Sequence, residues 1–164
     1  MSREVKIRCN LKPGDIGLVL YLHGVIYATE SGYNHTFEAY VAESLAEFAE
    51  SYNPDKDRLW IAEANNHIVG SIGVVSRSET EAQLRWLLVH PNHRGKGLGR
   101  TLLKKAIQFC RKAGYERVYL WTVSNLNAAI NLYKSLGFRK SEERTNKMWG
   151  KEEPITEEKY ELKL

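Results

Sequence analysis

The chain is 164 residues long, 43% hydrophobic and 27% charged, with a formal net charge of +4 at pH 7. A chain of this size buries roughly two thirds of the surface it exposes when unfolded, so 1–164 is expected to form a single domain without disulfide or metal staples. No apolar run approaches the roughly eighteen residues of a membrane span, and the start Met1-Ser2-Arg3-Glu4-Val5 lacks a leader's apolar core; a cytoplasmic protein without membrane partners is expected.

Val5-Lys6-Ile7-Arg8-Cys9 alternates with period two and reads as a half-buried strand closed by Pro13-Gly14. Asp15 is expected to cap a helix carrying Leu18, Leu20, Leu22 and Ile26, interrupted at Ser31-Gly32. A second helix begins near Thr36, with Phe37, Val41, Leu45 and Phe48 at helical spacing, and ends at Asn53-Pro54. Residues 59–64 and 68–75 are β-rich runs joined by Asn65-Asn66, which tolerate the left-handed conformations of a tight hairpin. A further turn around Ser78 to Thr80 leads into a strand over 82–89.

Leu98, Leu102, Leu103, Ala106, Ile107, Cys110 and Ala113 form the apolar stripe of a long helix closed by Gly114. A short strand over 118–122, a helix over 127–136 stopped by Gly137, and a strand opened by Phe138 follow. Segment 151–158, charged and broken by Pro154, reads as a loop, and 160–164 as a final edge strand. The order predicts an α/β fold of the α+β type: a mixed, mostly antiparallel central sheet of about seven strands flanked by about four helices. Where strand 82–89 meets the parallel strand 118–122, the sheet can open and admit a ligand.

Charge is unevenly spread. Residues 85–117 carry nine Lys or Arg against the single acid Glu116, whereas 21–53 carry five glutamates (Glu30, Glu38, Glu43, Glu47, Glu50) and no Lys or Arg. The molecule should therefore have a basic and an acidic side. The two cysteines, Cys9 and Cys110, stand apart from other ligands and read as reduced core thiols; His90 and His93 flank Pro91 without a third partner, so no metal site is expected.

The most informative run is His93-Arg94-Gly95-Lys96-Gly97-Leu98-Gly99-Arg100, between the strand and the long helix. Alternate glycines allow close backbone approach and positive φ. The helix start adds unpaired N–H groups and about half a positive charge, which together suit an anionic, phosphorylated ligand. An ordinary basic surface loop is the competing reading. A dinucleotide fingerprint fails because no glycine occupies 100 or 102, and a Walker loop fails because no Lys-Ser or Lys-Thr follows at the required place. A nucleic-acid patch lacks the interleaved aromatics or reading helix that would support it.

These residues resemble the GNAT superfamily of N-acetyltransferases. The family's Q/R-x-x-G-x-G/A loop is matched by Arg94 to Gly99, preceded by the strand-Pro pattern Leu87-Leu88-Val89-His90-Pro91. Downstream, the segment 125–138 looks like the family's second cofactor segment, with Asn127, Tyr133 and Gly137-Phe138 in their usual spacing. The element order agrees over nearly the whole length. The chain is also similar to the acetyltransferase domain fused behind MarR-type winged helices, although no winged-helix part is read here.

The resemblance implies a GNAT fold, acetyl-CoA as co-substrate and a primary amine acceptor, either a small cationic amine or a protein or peptide amine. Backbone groups of Leu87, Leu88 and Val89 would hold the acetyl and pantetheine portion as if it were an added strand, with a nearby N–H stabilising charge on the carbonyl oxygen. The loop Arg94, Gly95, Lys96, Gly97, Leu98, Gly99 and Arg100 would hold the pyrophosphate; Asn127 would bond the pantetheine arm, and Tyr133 would protonate the leaving thiolate. An alkyl amine with a pKa near 10.4 is neutral in only about one molecule in a few thousand at pH 7, a handicap of roughly 4 to 5 kcal/mol, so a proton acceptor is needed. Glu30 and Glu38 are the candidates, directly or through water. Many relatives place a base on the strand before the loop, but this chain has Gln83 and Arg85 there. His23 reads as structural, and Trp149 either lines the acceptor pocket or packs beside it. The acidic 21–53 region would attract a cationic amine. Two alternatives stand beside this reading: a CoA-binding sensor without turnover, and a nucleic-acid binder, which is not the expected partner class. A homodimer through 160–164 is left open.

Overall fold

The computed structural model describes residues 4–164. Met1, Ser2 and Arg3, at the start of the segment read as lacking a leader core, lie outside the described residues. The elements are β1 (Lys6–Arg8), α1 (Asp15–Ser31), α2 (His35–Glu50), β2 (Arg58–Ala64), β3 (His67–Ser76), β4 (Glu81–Val89), α3 (Leu98–Lys112), β5 (Arg117–Val123), α4 (Asn127–Ser135), β6 (Arg139–Asn146) and β7 (Ile155–Lys163), with a 3₁₀ turn at Pro91–His93. They build one seven-stranded sheet in the order β1-β2-β3-β4-β5-β7-β6, antiparallel except for the β4–β5 pair. This is the expected GNAT fold class.

Each face of the sheet has its own core. One gathers Leu102, Leu103, Ala106 and Ile107 of α3 with Ile130 and Tyr133 of α4 over Ile72, Val74, Leu84 and Leu120. The other sets Val19 of α1 and Phe37, Val41, Leu45 and Phe48 of α2 against Leu59, Ile61 and Trp86. Local signals largely act as expected. Asn65 and Asn66 adopt φ of 52° and 62°, matching the twist of the β2–β3 hairpin. Gly114 at φ 85° closes α3 in a Schellman turn: its N–H donates to Arg111 O, and that of Tyr115 to Cys110 O. Burial pushes the Cys110 thiol up to about 12, keeping it protonated.

Four expectations are corrected. Asp15 is the first residue of α1 rather than its cap; its buried carboxylate accepts two bonds from Arg8 and one from the Lys12 N–H, tying β1 to the helix. The α1 face reaching the core is Val19, His23 and Ile26, while Leu18 is 50% exposed. The helix is apolar nearly all round, so periodicity could not select its inner face. The supposed loop 151–158 becomes strand from Ile155 onward, because β5 and β6 pair with it on both edges. For the same reason 160–164 is not an edge: β6, exposed at every position, occupies that place. Its charged side chains guard the open edge against further pairing.

Candidate active site

β4 and β5 pair only over Glu81 to Gln83 with Arg117 to Tyr119. Beyond that, a cavity of about 750 Å³ opens between residues 84–89 of β4 and the end of β5. A bulge sets its shape. The β3–β4 register slips between Ser71 and Gly73, placing an additional residue on β4, and Trp86 takes φ 55°. The Trp86 ring lies on Gly73, where a Cβ would stand 2.5 Å from Cε3; Ser71 Oγ donates to Trp86 O at 2.7 Å, and Trp86 Nε1 donates to Ser44 Oγ at 3.2 Å. After the bulge, the His90 N–H donates to Val69 O on the β3 side. Alternation along the strand then turns the N–H and C=O of Leu87 and Val89 toward the cavity, with those of Leu88 toward β3.

The glycine loop forms the cavity's basic end. Gly95 and Gly97 adopt φ of 74° and 81°, and Gly97 caps α3 with no side-chain partner and no acid in the first turn. Among the described residues, no protein acceptor takes the backbone N–H groups of 95–100; Thr101 is the first to bond back, to Gly97 O. The Arg94 N–H is spent on Pro91 O. Arg94's side chain is a brace: Nε donates to Val89 O at 3.0 Å, and the guanidinium grips Glu30 at 2.6 and 2.7 Å, joining the end of α1 to the loop. That grip holds the Glu30 carboxyl below its usual range. Arg100 donates to Ser135 Oγ, and Lys96 does not line the cavity. These six orphaned donors and the open space around Gly95 and Gly97 fit a pyrophosphate.

Along the cavity, exposed Asn127 stands at the start of α4, and Tyr133 is 6% exposed, packed on Phe138 and Tyr160. Burial raises the Tyr133 phenol far above its ordinary value, and burial pushes half-buried Tyr27 up to about 12. Both hydroxyls are therefore neutral donors at any physiological pH. Glu38 does not line the cavity. It lies over Gly24, where a Cβ would meet its carboxyl group, so it helps α2 close on α1.

The other end of the cavity is walled by side chains. His23 of α1 donates from Nδ1 to Val19 O, and burial lowers its pKa to about 4, keeping the ring neutral. Trp149, at φ 59°, is fixed by its carbonyl accepting from the Asn34 N–H; its ring meets Tyr33, Phe37 and Tyr40. Arg85 lies over Tyr40 and Trp86 and donates to Tyr40 Oη at 3.2 Å. Glu157 of β7, 6% exposed, accepts from Arg144 Nε at 2.7 Å. The sequence reading missed Tyr27, Trp86 and Glu157 as lining groups. Tyr27 was accessible by rule, since it sits three residues before Glu30 on the same helical face. Nothing local marks Glu157 within its charged segment. Glu38, Glu43, Glu47 and Glu50 lie outside this cavity. No metal-holding cluster occurs, and no helix is long and apolar enough to cross a membrane, among the described residues.

Known proteins match this chain in sequence family and in fold. The family model for the Acetyltransferase (GNAT) family matches residues 26–138. N-acetyltransferase 8B of Homo sapiens is 34% identical over 97 residues, covering 56% of this chain and 43% of that protein; the chain spans about half the length of the curated relatives it matches. An N-acetyltransferase structure from Staphylococcus aureus superposes with TM-score 0.77 at 19% identity, covering 98% of both chains. yncA of Salmonella typhimurium, solved with its cofactor acetyl-CoA, superposes with TM-score 0.75 at 24% identity over 98% of this chain and 94% of its own. The structural likenesses are likenesses of fold. The split between β4 and β5, the orphaned N–H groups before α3 and the matched sequence model agree: this chain belongs to the GNAT acetyltransferase family.

Proposed function

We propose that the chain, acting as one domain, transfers acetyl from acetyl-CoA to a primary amine by direct attack within a ternary complex. One observation carries the reading: a single cavity joins the outward main chain of Leu87 and the Val89 N–H, the free N–H groups of Gly95 and 97–100, and the hydroxyl-bearing ring of Tyr133. Bound acetyl-CoA supplies a thioester carbonyl open to attack by the amine.

Gly95, Lys96, Gly97, Leu98, Gly99 and Arg100 direct their N–H groups at the pyrophosphate, with Arg94 bracing the loop. Leu87 and Val89 offer main-chain hydrogen bonds to the pantetheine arm, and Leu88 holds the bulged strand against β3. Asn127 adds a side-chain bond. Charge developing on the carbonyl oxygen is met by a backbone N–H after the bulge. Tyr133 points its neutral hydroxyl at the sulfur. Because its phenol is a far weaker acid than a thiol, its contribution is a strong hydrogen bond as the C–S bond breaks, with the proton following only as the sulfur gains charge. Glu30, at the cavity wall, accepts the amine's proton through water; Arg94 depresses its basicity, so this help is modest. Glu38 can act only from outside the cavity, through a longer water path.

The test is calorimetric binding of acetyl-CoA followed by thiol release across a panel of primary amines. Binding together with acceptor-dependent release is expected. Binding with no release for any amine would favour a sensor of the same fold, and absence of binding would overturn both.

A further inference from the structure

We propose that Arg85 is the carboxylate-binding residue of the acceptor pocket, and that the acceptor is an amine carrying a carboxylate on an apolar or aromatic body. This rests on the acetyltransferase reading and narrows its substrate class.

The charges that line the cavity are unevenly paired. Two carboxylates line the cavity, and each already has its own arginine: Glu30 is held by Arg94, and Glu157 by Arg144. His23 is neutral and spends its Nδ1–H on a backbone carbonyl. Arg85 differs. Among the described residues it makes no ion pair; its one hydrogen bond goes to the uncharged Tyr40 hydroxyl. It also borders a smaller hollow lined by Glu47, Asp57 and Glu79, yet pairs with none of them; Asp57 accepts from the backbone N–H groups of Asn53 and Ser76.

An arginine laid on aromatic faces has its stem and ring plane fixed while its N–H fork stays available. Tyr40 and Trp86 supply those faces here, and Trp149 continues the aromatic wall. Such a wall offers apolar surface and one unmatched positive fork. A simple alkyl diamine would leave that fork unanswered and place a second cation near it. A carboxylate-bearing amine satisfies it bidentately and covers the rings.

The experiment uses matched ligands. N-acetylphenylalanine and N-acetylphenethylamine share the acetylated nitrogen and the ring and differ by one carboxylate; their binding is measured by calorimetry on the chain saturated with CoA. The carboxylate ligand is expected to bind at least about tenfold more tightly. Arg85→Gln should erase that advantage while leaving the uncharged ligand within about twofold, and Arg85→Lys should keep part of it without the bidentate geometry. Phenylalanine and phenethylamine as acceptors should show the same ratio in kcat/KM. Equal binding of the two ligands to the native chain, or a preference that survives Arg85→Gln, overturns the assignment. Should Arg85→Gln fail to fold, the native pair and Arg85→Lys decide alone. If CoA itself does not bind, the acetyltransferase reading falls and this assignment with it; if CoA binds and the carboxylate confers nothing, only the assignment falls.

Discussion

The two ends of the cavity are built by different means. The end proposed for the cofactor is mostly backbone: two glycines at positive φ, six free N–H groups and a strand edge, with Arg94 as external brace. The end proposed for the acceptor is almost entirely side chain, drawn from α1, α2, β4, β7 and the turn at Trp149. Backbone donors recognise a phosphate whatever side chains surround them, whereas a side-chain wall changes with each substitution. The chain is therefore generic at its backbone-built end and individual at its side-chain wall.

The largest expected effect falls on the generic end. Gly97→Glu forces a side chain onto φ 81° and sets a negative charge among the donors; acetyl-CoA affinity should drop about a thousandfold by calorimetry, through strain, lost N–H geometry and like-charge repulsion. An unchanged Kd would show that the loop does not hold the cofactor. Next comes a pH effect from the acceptor end. His23 falls from an ordinary 6.5 to about 4 on burial, so the unfolded chain binds the extra proton first on acidification. Stability should therefore decline as pH drops from 6.5 to about 4, by at most about 3 kcal/mol from this group, and flatten below. Urea unfolding of His23→Gln, compared with the native chain over that window, should show a shallower slope.

Between the two ends lies the bulge. Gly73→Ala drives a Cβ into the Trp86 ring and should destabilise by about 1 to 3 kcal/mol, with acceptor KM rising more than acetyl-CoA Kd. Equal losses at both ends would mean that the bulge serves the strand as a whole. Tyr133→Phe removes one hydroxyl at a site of unchanged shape; kcat should fall about tenfold with acetyl-CoA affinity unaltered. Glu30→Gln closes the series. Its ion pair is 45% and 38% exposed, so stability should change by less than about 1 kcal/mol, a contribution present above the usual carboxylate range and lost as pH falls below it. A drop in kcat of at most about tenfold would be consistent with its proposed proton-accepting role.

Legibility in the sequence followed the same division. The α3 stripe from Leu98 to Cys110, the Asn65-Asn66 turn and the glycine loop all act within a few residues, so spacing alone located them. Asp15 was misread because its preference for helix starts is real but its carboxylate is claimed by Arg8 across the β1 turn. Segment 151–158 looked like a loop because its charges give no alternation until β5 and β6 clasp it. Tyr27, Trp86 and Glu157 reach the cavity from three separate elements, and no local pattern relates them.

The sequence by itself determined the element order, the family and the glycine loop before α3, since each rests on backbone preferences expressed over short spans. Only the tertiary structure decided that Trp86 bulges over Gly73, that Arg94 embraces Glu30 sixty-four residues away, and that Arg85 is left without an acid. Those outcomes depend on which side chains the sheet and helices bring within a few ångströms, a matter of packing between distant segments rather than of local propensity.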